Sequence, residues 1–149
     1  MLWEDKPSTR LWSEREAVAE AASMAASAGS RHSAAVGEDG SLFVWGGGPR
    51  GQLGTGNNRT RCAPTRVAGL SAPVRQVAAA NFHTGIVTDA GDLLMCGSGQ
   101  YGRLGLGDGG DRTTPTLVER ALLDDCAVLM VACGVFNTCL LYTSDAADE

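Results

Sequence analysis

The chain has 149 residues, 44% hydrophobic and 19% charged, with 20 glycines, a formal net charge of −5 and a single lysine, Lys6. This is the composition of one globular domain rich in tight turns, and without a basic run it lacks an electrostatic footprint for nucleic acid or an anionic lipid surface. The most apolar stretch, 17–28, is broken by Glu20, Ser23 and Ser27, so it falls short of the roughly 18 apolar residues of a membrane span.

Residues 1–25 read as an N-terminal segment apart from the rest. Met1-Leu-Trp-Glu-Asp-Lys6 carries acid where a secretory leader carries base, which points to an intracellular home, cytoplasmic or nuclear. Pro7-Ser-Thr-Arg-Leu11 partly echoes Pro64-Thr-Arg-Val67 as the end of a preceding repeat, and 13–25 reads as a helical or irregular insertion. From residue 26 the chain repeats itself. A shift of 51 places His32 on His83, Gly40 on Gly91, Leu42 on Leu93, Gly46 on Gly97, Gly48 on Gly99 and Gly51 on Gly102. The same shift aligns Leu53, Gly54, Gly56, Arg61, Pro64, Thr65 and Val67 with Leu104, Gly105, Gly107, Arg112, Pro115, Thr116 and Val118. A third copy opens at Val131, with Asn137 at the histidine position.

Within each copy the elements are short strands. His32–Val36 and His83–Val87 run into Glu38-Asp-Gly40 and Asp89-Ala-Gly91, residues that close hairpins. Leu42–Trp45 and Leu93–Cys96 are apolar on both faces and predict strands sandwiched between sheets. Pro64 and Pro115 are expected to open a third strand, and Val74–Ala78 and Val128–Ala132 to supply a fourth. Four short strands per ~50 residues, without a helical period, predict all-β propeller blades. About two blades and the start of a third are present, an incomplete β-propeller. The glycines from 46 to 56 and from 97 to 107 fall where the chain must turn repeatedly, several at positive φ, with Leu53 and Leu104 as the apolar pegs of each loop.

Gly40-Ser-Leu-Phe-Val-Trp45-Gly-Gly-Gly-Pro-Arg-Gly-Gln-Leu-Gly-Thr-Gly56, its copy Gly91–Gly107, and the elements Gly29–Ser33 and Gly134–Thr138 resemble the repeat of the regulator of chromosome condensation family. The resemblance covers 26–138 and implies repeats of a seven-bladed β-propeller. Cys96 departs from it where the family has an aromatic, Asn137 where it has histidine, and Ala80 where Gly29 and Gly134 stand. Residues 139–149 are similar to the translation of a transposase mosaic-end sequencing adapter, which implies a natural sequence that diverges after Thr138.

No catalytic, cofactor or metal site is expected. Gly97-Ser-Gly-Gln-Tyr-Gly102 and Gly46-Gly-Gly-Pro-Arg-Gly51 fit the dinucleotide fingerprint, but more glycines follow where a helix is needed to hold a pyrophosphate. His32 and His83 recur at the repeat spacing and read as structural residues hydrogen-bonded to backbone. Cys126 and Cys133 lack zinc partners, so the cysteines read as buried free thiols, and Asp108-Gly-Gly-Asp111 reads as a solvated turn. Asn58-Arg-Thr60 is a glycosylation sequon without meaning unless the chain is secreted. Arg50, Arg59, Arg61, Arg103 and Arg112 lie in or beside the long loops, where exposed arginines serve as interface anchors. Arg50, Tyr101 and Arg103 are the expected partner-binding residues.

The expected function is therefore a non-catalytic protein-interaction platform. The resemblance implies two alternatives: the propeller module of a HECT-type ubiquitin ligase, and a guanine-nucleotide exchange factor whose partner is a small GTPase. Repeats whose recognisable residues are structural do not name the partner.

Overall fold

Turns of three to five residues join most strands of each repeat, and such short links permit only antiparallel neighbours. The computed structural model describes residues 25–142. In the first sheet β1 (Ala25–Ala28), β2 (His32–Val36), β3 (Leu42–Gly46) and β4 (Arg61–Arg66) lie side by side in chain order. The second sheet repeats the pattern with β5 (Val74–Ala79), β6 (His83–Thr88), β7 (Leu93–Gly97) and β8 (Arg112–Leu117). A third holds β9 (Val128–Cys133) and β10 (Thr138–Tyr142). Registers are copied too: His32 faces Gly46 and Val36 faces Leu42, as His83 faces Gly97 and Val87 faces Leu93. The architecture is a partial β-propeller of two four-stranded blades and the first two strands of a third.

Three details differ from the sequence expectation. The strand at Val74 opens the second sheet and does not close the first, because a short turn ties it to β6 whereas 67–73 carries the chain across to the new blade. Ala25, assigned to an insertion, begins β1; Ala-Ala-Ser-Ala has little β-propensity, and pairing with β2 together with the bond from Ala79 N–H to Ser27 Oγ (2.9 Å) holds it extended. The rest of 13–25 lies outside the described residues. Pro64 and Pro115 sit inside β4 and β8, not at their starts. Proline is tolerated there because both strands are the outer edges of their sheets, and the pairing skips from Thr65 to Arg61 and from Thr116 to Arg112.

The core lies between blades. Val36, Leu42 and Val44 pack with Val77 and Ile86 of the second blade, and Val87 and Met95 pack with Val128 and Val131 of the third. Leu53 and Leu104 leave the loops to join these two clusters at 1% and 2% exposure, each such burial contributing about 1.5–3 kcal/mol. Strand β7 is buried along its whole length because blades flank it on both sides, whereas β3 alternates and Trp45 is only half-buried. Glycine is required at Gly97 (φ +108), where a Cβ would fall 2.2 Å from the Phe82 carbonyl oxygen. Gly99 has an ordinary φ of −90 and is required for a different reason: a Cβ there would meet the Gly110 carbonyl oxygen at 2.0 Å. Among the described residues no helix is long and apolar enough to cross a membrane.

Candidate interaction face

The two histidines are spent on joining blades. His32 Nε2 lies 2.6 Å from Thr84 Oγ1 in the second blade, and the Thr84 hydroxyl donates to the Gln52 carbonyl, also at 2.6 Å. Since the threonine proton is committed to that carbonyl, Nε2 carries the imidazole proton and donates it. One repeat later His83 Nε2 lies 3.2 Å from Thr138 Oγ1, whose hydroxyl donates to the Arg103 carbonyl at 2.8 Å. Burial pushes both imidazoles down to about 4, aided at His32 by the His83 charge and at His83 by that of Arg103, against a raising contribution from the Asn137 backbone. Both are neutral at pH 7.

Side-chain to backbone bonds complete the boundaries. The Gln76 amide both donates to Val131 O (2.9 Å) and accepts from Val131 N–H (2.8 Å), and Arg75 donates to Val128 O at 2.7 Å. These contacts hold β9 against β5 without a charge pair.

Of the three residues expected to meet a partner, the structure brings Tyr101 and Arg103 together and sets Arg50 in another loop. Tyr101 is 81% exposed and held at φ +60, a left-handed conformation that side chains rarely adopt. Arg103 is 4% exposed; Nε donates to the Gln100 carbonyl at 2.8 Å and Nη1 to Val135 O at 3.2 Å. Its guanidinium lies 5.8 Å from the Tyr101 ring centroid and 5.4 Å from that of Phe136, and the two rings meet edge-to-face at 5.6 Å. Phe136 is itself 61% exposed. The outcome is an aromatic pair standing on a buried cation, which fixes both rings and polarises them. Beside it opens a cleft of about 330 Å³ whose floor is Met95, Leu104, Val118 and Leu123.

Arg50 has another role. Its Nη1 pairs with Asp111 Oδ2 at 3.1 Å across the first boundary, while Asp111 Oδ1 accepts from Gly99 N–H at 3.0 Å. Asp108 pairs with Arg112 at 2.9 Å, so the segment expected to be a solvated turn is tied down at both carboxylates. Thr84, Thr138, Gln52 and Phe136 were not singled out from the sequence. A signal existed for the threonines, since a hydroxyl residue follows the histidine position in every copy: Ser33, Thr84, Thr138.

The remaining motifs are placed simply. Gly97–Gly102 leads into the three-residue 3-10 turn Gln100–Gly102, whose first turn offers no helix dipole for a pyrophosphate. Among the described residues no group of three or more His, Cys, Asp or Glu is placed to hold a metal. All five cysteines are free thiols; Cys96 and Cys126 are buried, but Cys62 and Cys139 are exposed, which corrects the expectation of buried thiols throughout. Cys62 sits on the outward face of an edge strand, where nothing covers alternate side chains.

The family models for the Regulator of chromosome condensation (RCC1) repeat match residues 39–87 and 90–141, and in a second form 25–52. An X-linked retinitis pigmentosa GTPase regulator homolog of Caenorhabditis elegans is 49% identical over 82 residues, 54% of this chain and 6% of that protein. The E3 ubiquitin-protein ligase HERC2 of Mus musculus is 38% identical over 112 residues, 74% of this chain and 2% of the ligase. The Ultraviolet-B receptor UVR8 of Arabidopsis thaliana is 38% identical over 111 residues, 74% of this chain and 25% of the receptor. Human WBSCR16 superposes with a TM-score of 0.72 at 25% identity, covering 78% of this chain and 30% of that one. Yeast RCC1 (Prp20), crystallised with Kap60, superposes with a TM-score of 0.70 at 24% identity over 81% of this chain and 30% of that one. The chain thus spans less than a third of each of these relatives. Its two copies of the glycine-loop repeat, folded as successive four-stranded blades, belong to the regulator of chromosome condensation repeat family.

Proposed function

We propose that these repeats form a non-catalytic platform for protein partners inside the cell, in cytoplasm or nucleus. The observation that carries this reading is the exposed pair Tyr101 and Phe136, fixed on the buried Arg103 guanidinium. Aromatic rings already immobilised lose little entropy on binding and bury a large area, which is how interface anchors work. The histidines support the same reading, since neutral imidazoles tied up at Nε2, with proton affinities near pH 4, are not poised for proton transfer at neutral pH. The free thiols fit a reducing compartment. Within this reading the native repeats run over 26–138 and 139–149 are adapter-derived, which sequencing the transcript through codon 138 tests.

Photocrosslinking tests the platform. A benzophenone amino acid in place of Tyr101 is expected to give discrete protein adducts in cells expressing the chain, and the same group at Glu38, on the opposite hairpin turn of the first blade, is not. Adducts from both positions alike, or from neither, contradict the reading.

Two relatives support narrower forms. Identity to a ubiquitin-protein ligase supports a propeller module of a HECT-type ligase, and identity to a GTPase regulator homolog supports a small-GTPase partner and nucleotide exchange. A HECT domain encoded downstream decides for the first, and accelerated nucleotide release from a small GTPase for the second.

A further inference from the structure

The loops after β3 and after β7 are copies that differ in charge. From Gly97 to Arg112 the second loop balances Arg103 and Arg112 with Asp108 and Asp111, whereas from Gly46 to Arg61 the first holds Arg50, Arg59 and Arg61 and no acidic residue. In the second loop Asp108 has two tasks: Oδ1 accepts from Gly110 N–H at 2.9 Å and Oδ2 from Arg112 Nη2 at 2.9 Å. The 51-residue shift puts Asn57 at Asp108, Arg59 at Gly110 and Arg61 at Arg112. Asn57 keeps the first task, its Oδ1 accepting from Arg59 N–H at 3.0 Å. The second is left undone. Among the described residues the Arg59 and Arg61 guanidinium groups form no ion pair, and Arg61 Nε is buried without a hydrogen-bond partner. The openness of this place does not depend on a neighbouring blade. The second blade has the first seated before it, with a Cβ at Gly51 falling 2.6 Å from the Arg112 carbonyl oxygen and Arg50 reaching Asp111. The Arg112 side chain nevertheless stays 28% exposed and that of Asp108 55%. A blade seated in the same way before the first covers the Arg61 backbone and leaves its guanidinium open.

We propose that Arg59 and Arg61 receive a carboxylate from an acidic segment of a partner protein, a proposal that rests on the platform reading and names the chemistry of its partner. The second loop sets that chemistry, since an aspartate carboxylate fills the equivalent place there. An incoming aspartate or glutamate supplies Arg61 with the acceptor that Asn57 lacks, in a charge-assisted hydrogen bond. Arg31 offers a second cation along the same glycine run: its Cβ would lie 3.6 Å from a Cβ on Gly47, and its guanidinium is held 5.2 Å over the Phe82 ring. Two or three guanidinium groups on a chain of net charge −5 with one lysine suit a short acidic stretch, not the long phosphate track of a nucleic acid.

The test uses the full chain and two fluorescein-labelled peptides, Ser-Asp-Glu-Asp-Gly-Ser and its amide counterpart Ser-Asn-Gln-Asn-Gly-Ser, followed by anisotropy at low salt. The acidic peptide is expected to bind saturably, and about tenfold more weakly when its acids are amides or when Arg61→Gln removes the cation. Asn57→Asp gives Arg61 an internal carboxylate and is expected to weaken the acidic peptide as much as Arg61→Gln does. This variant recreates the pairing of the second loop and so keeps the fold, which its thermal melt verifies. Absence of saturable binding to the folded chain, or binding indifferent to Asn57→Asp and Arg61→Gln, overturns the proposal. So does a single-stranded oligonucleotide of equal charge that binds as tightly as the acidic peptide. If crosslinks still form at position 101 while the acidic peptide does not bind, the carboxylate chemistry falls and the platform stands; if both fail, the platform falls as well.

Discussion

His32 and Thr84, 52 positions apart in sequence, meet at 2.6 Å across the boundary between the first two blades, and the threonine passes the bond on to the Gln52 carbonyl. The relay links three parts: the second strand of one blade, the second strand of the next, and the glycine loop of the first. A blade cannot bury its own apolar face alone, so stability in such an array resides largely in its boundaries. Here a boundary carries directional bonds as well as apolar contact, which fixes the angle at which each blade meets the next.

Thr84→Val keeps the shape of the side chain and removes both bonds, leaving the His32 N–H buried and unpaired and the Gln52 carbonyl with only the weak Cys96 thiol donor at 3.5 Å. The expected cost is about 2–3 kcal/mol in urea unfolding, with Thr84→Ser recovering most of it. Equal stability of the Val and Ser variants would show that the relay contributes nothing.

Burial of the two imidazoles also sets a pH dependence. Each histidine titrates near 4 in the folded chain and near 6.5 when unfolded. Between those values the unfolded state binds more protons, so stability falls as pH drops from about 6.5 to 4 and the effect levels off below, to a total of up to about 3 kcal/mol per imidazole. Asparagine already occupies the equivalent position 137. A His32→Asn, His83→Asn double variant is therefore expected to unfold with a shallower pH slope in that window than the parent, as denaturant titrations from pH 7 to pH 4 will read.

Much of this was legible in the sequence, and the rest was hidden for identifiable reasons. The 51-residue shift that aligned His32 with His83 also aligned the registers, because a strand's register follows its flanking turns. What a repeat cannot reveal is where one sheet stops: the link from β4 to β5 and the turn from β5 to β6 are both short connections with a single polar side chain, Ser71 and Asn81, and only three-dimensional pairing decides which strand opens the new blade. The face was half legible. Tyr101 and Arg103 were visible as loop residues, yet Phe136, which completes the aromatic pair, arrives from the third copy, 35 positions beyond Tyr101. Arg103 shows the other limit, since sequence reports a charge but not that its guanidinium is capped by two carbonyls.

Thiol reactivity follows burial. Cys62 and Cys139 are exposed, whereas burial pushes the Cys96 thiol up to about 12 and that of Cys133 to about 11. A colourimetric disulfide reagent at pH 8 is expected to titrate Cys62 and Cys139 quickly and Cys96 only on addition of denaturant. Rapid labelling of Cys96 in the folded chain, read by peptide mass spectrometry, would mean that the first blade's loop does not cover it.

Asp111 divides its two oxygens between unequal tasks, and substitutions separate them. Asp111→Asn keeps an oxygen for the Gly99 N–H and loses only the exposed pair with Arg50, which is expected to cost less than about 1 kcal/mol and to vanish at high salt. Asp111→Ala leaves the Gly99 N–H without its acceptor and is expected to cost about 1 kcal/mol more, independent of salt. Combining Arg50→Ala with Asp111→Asn then adds little to either change alone. A salt-independent coupling above about 1 kcal/mol would instead make the pair a principal clamp of the boundary. The second boundary could then not be built in the same way, because Tyr101 stands where that arginine would have to be.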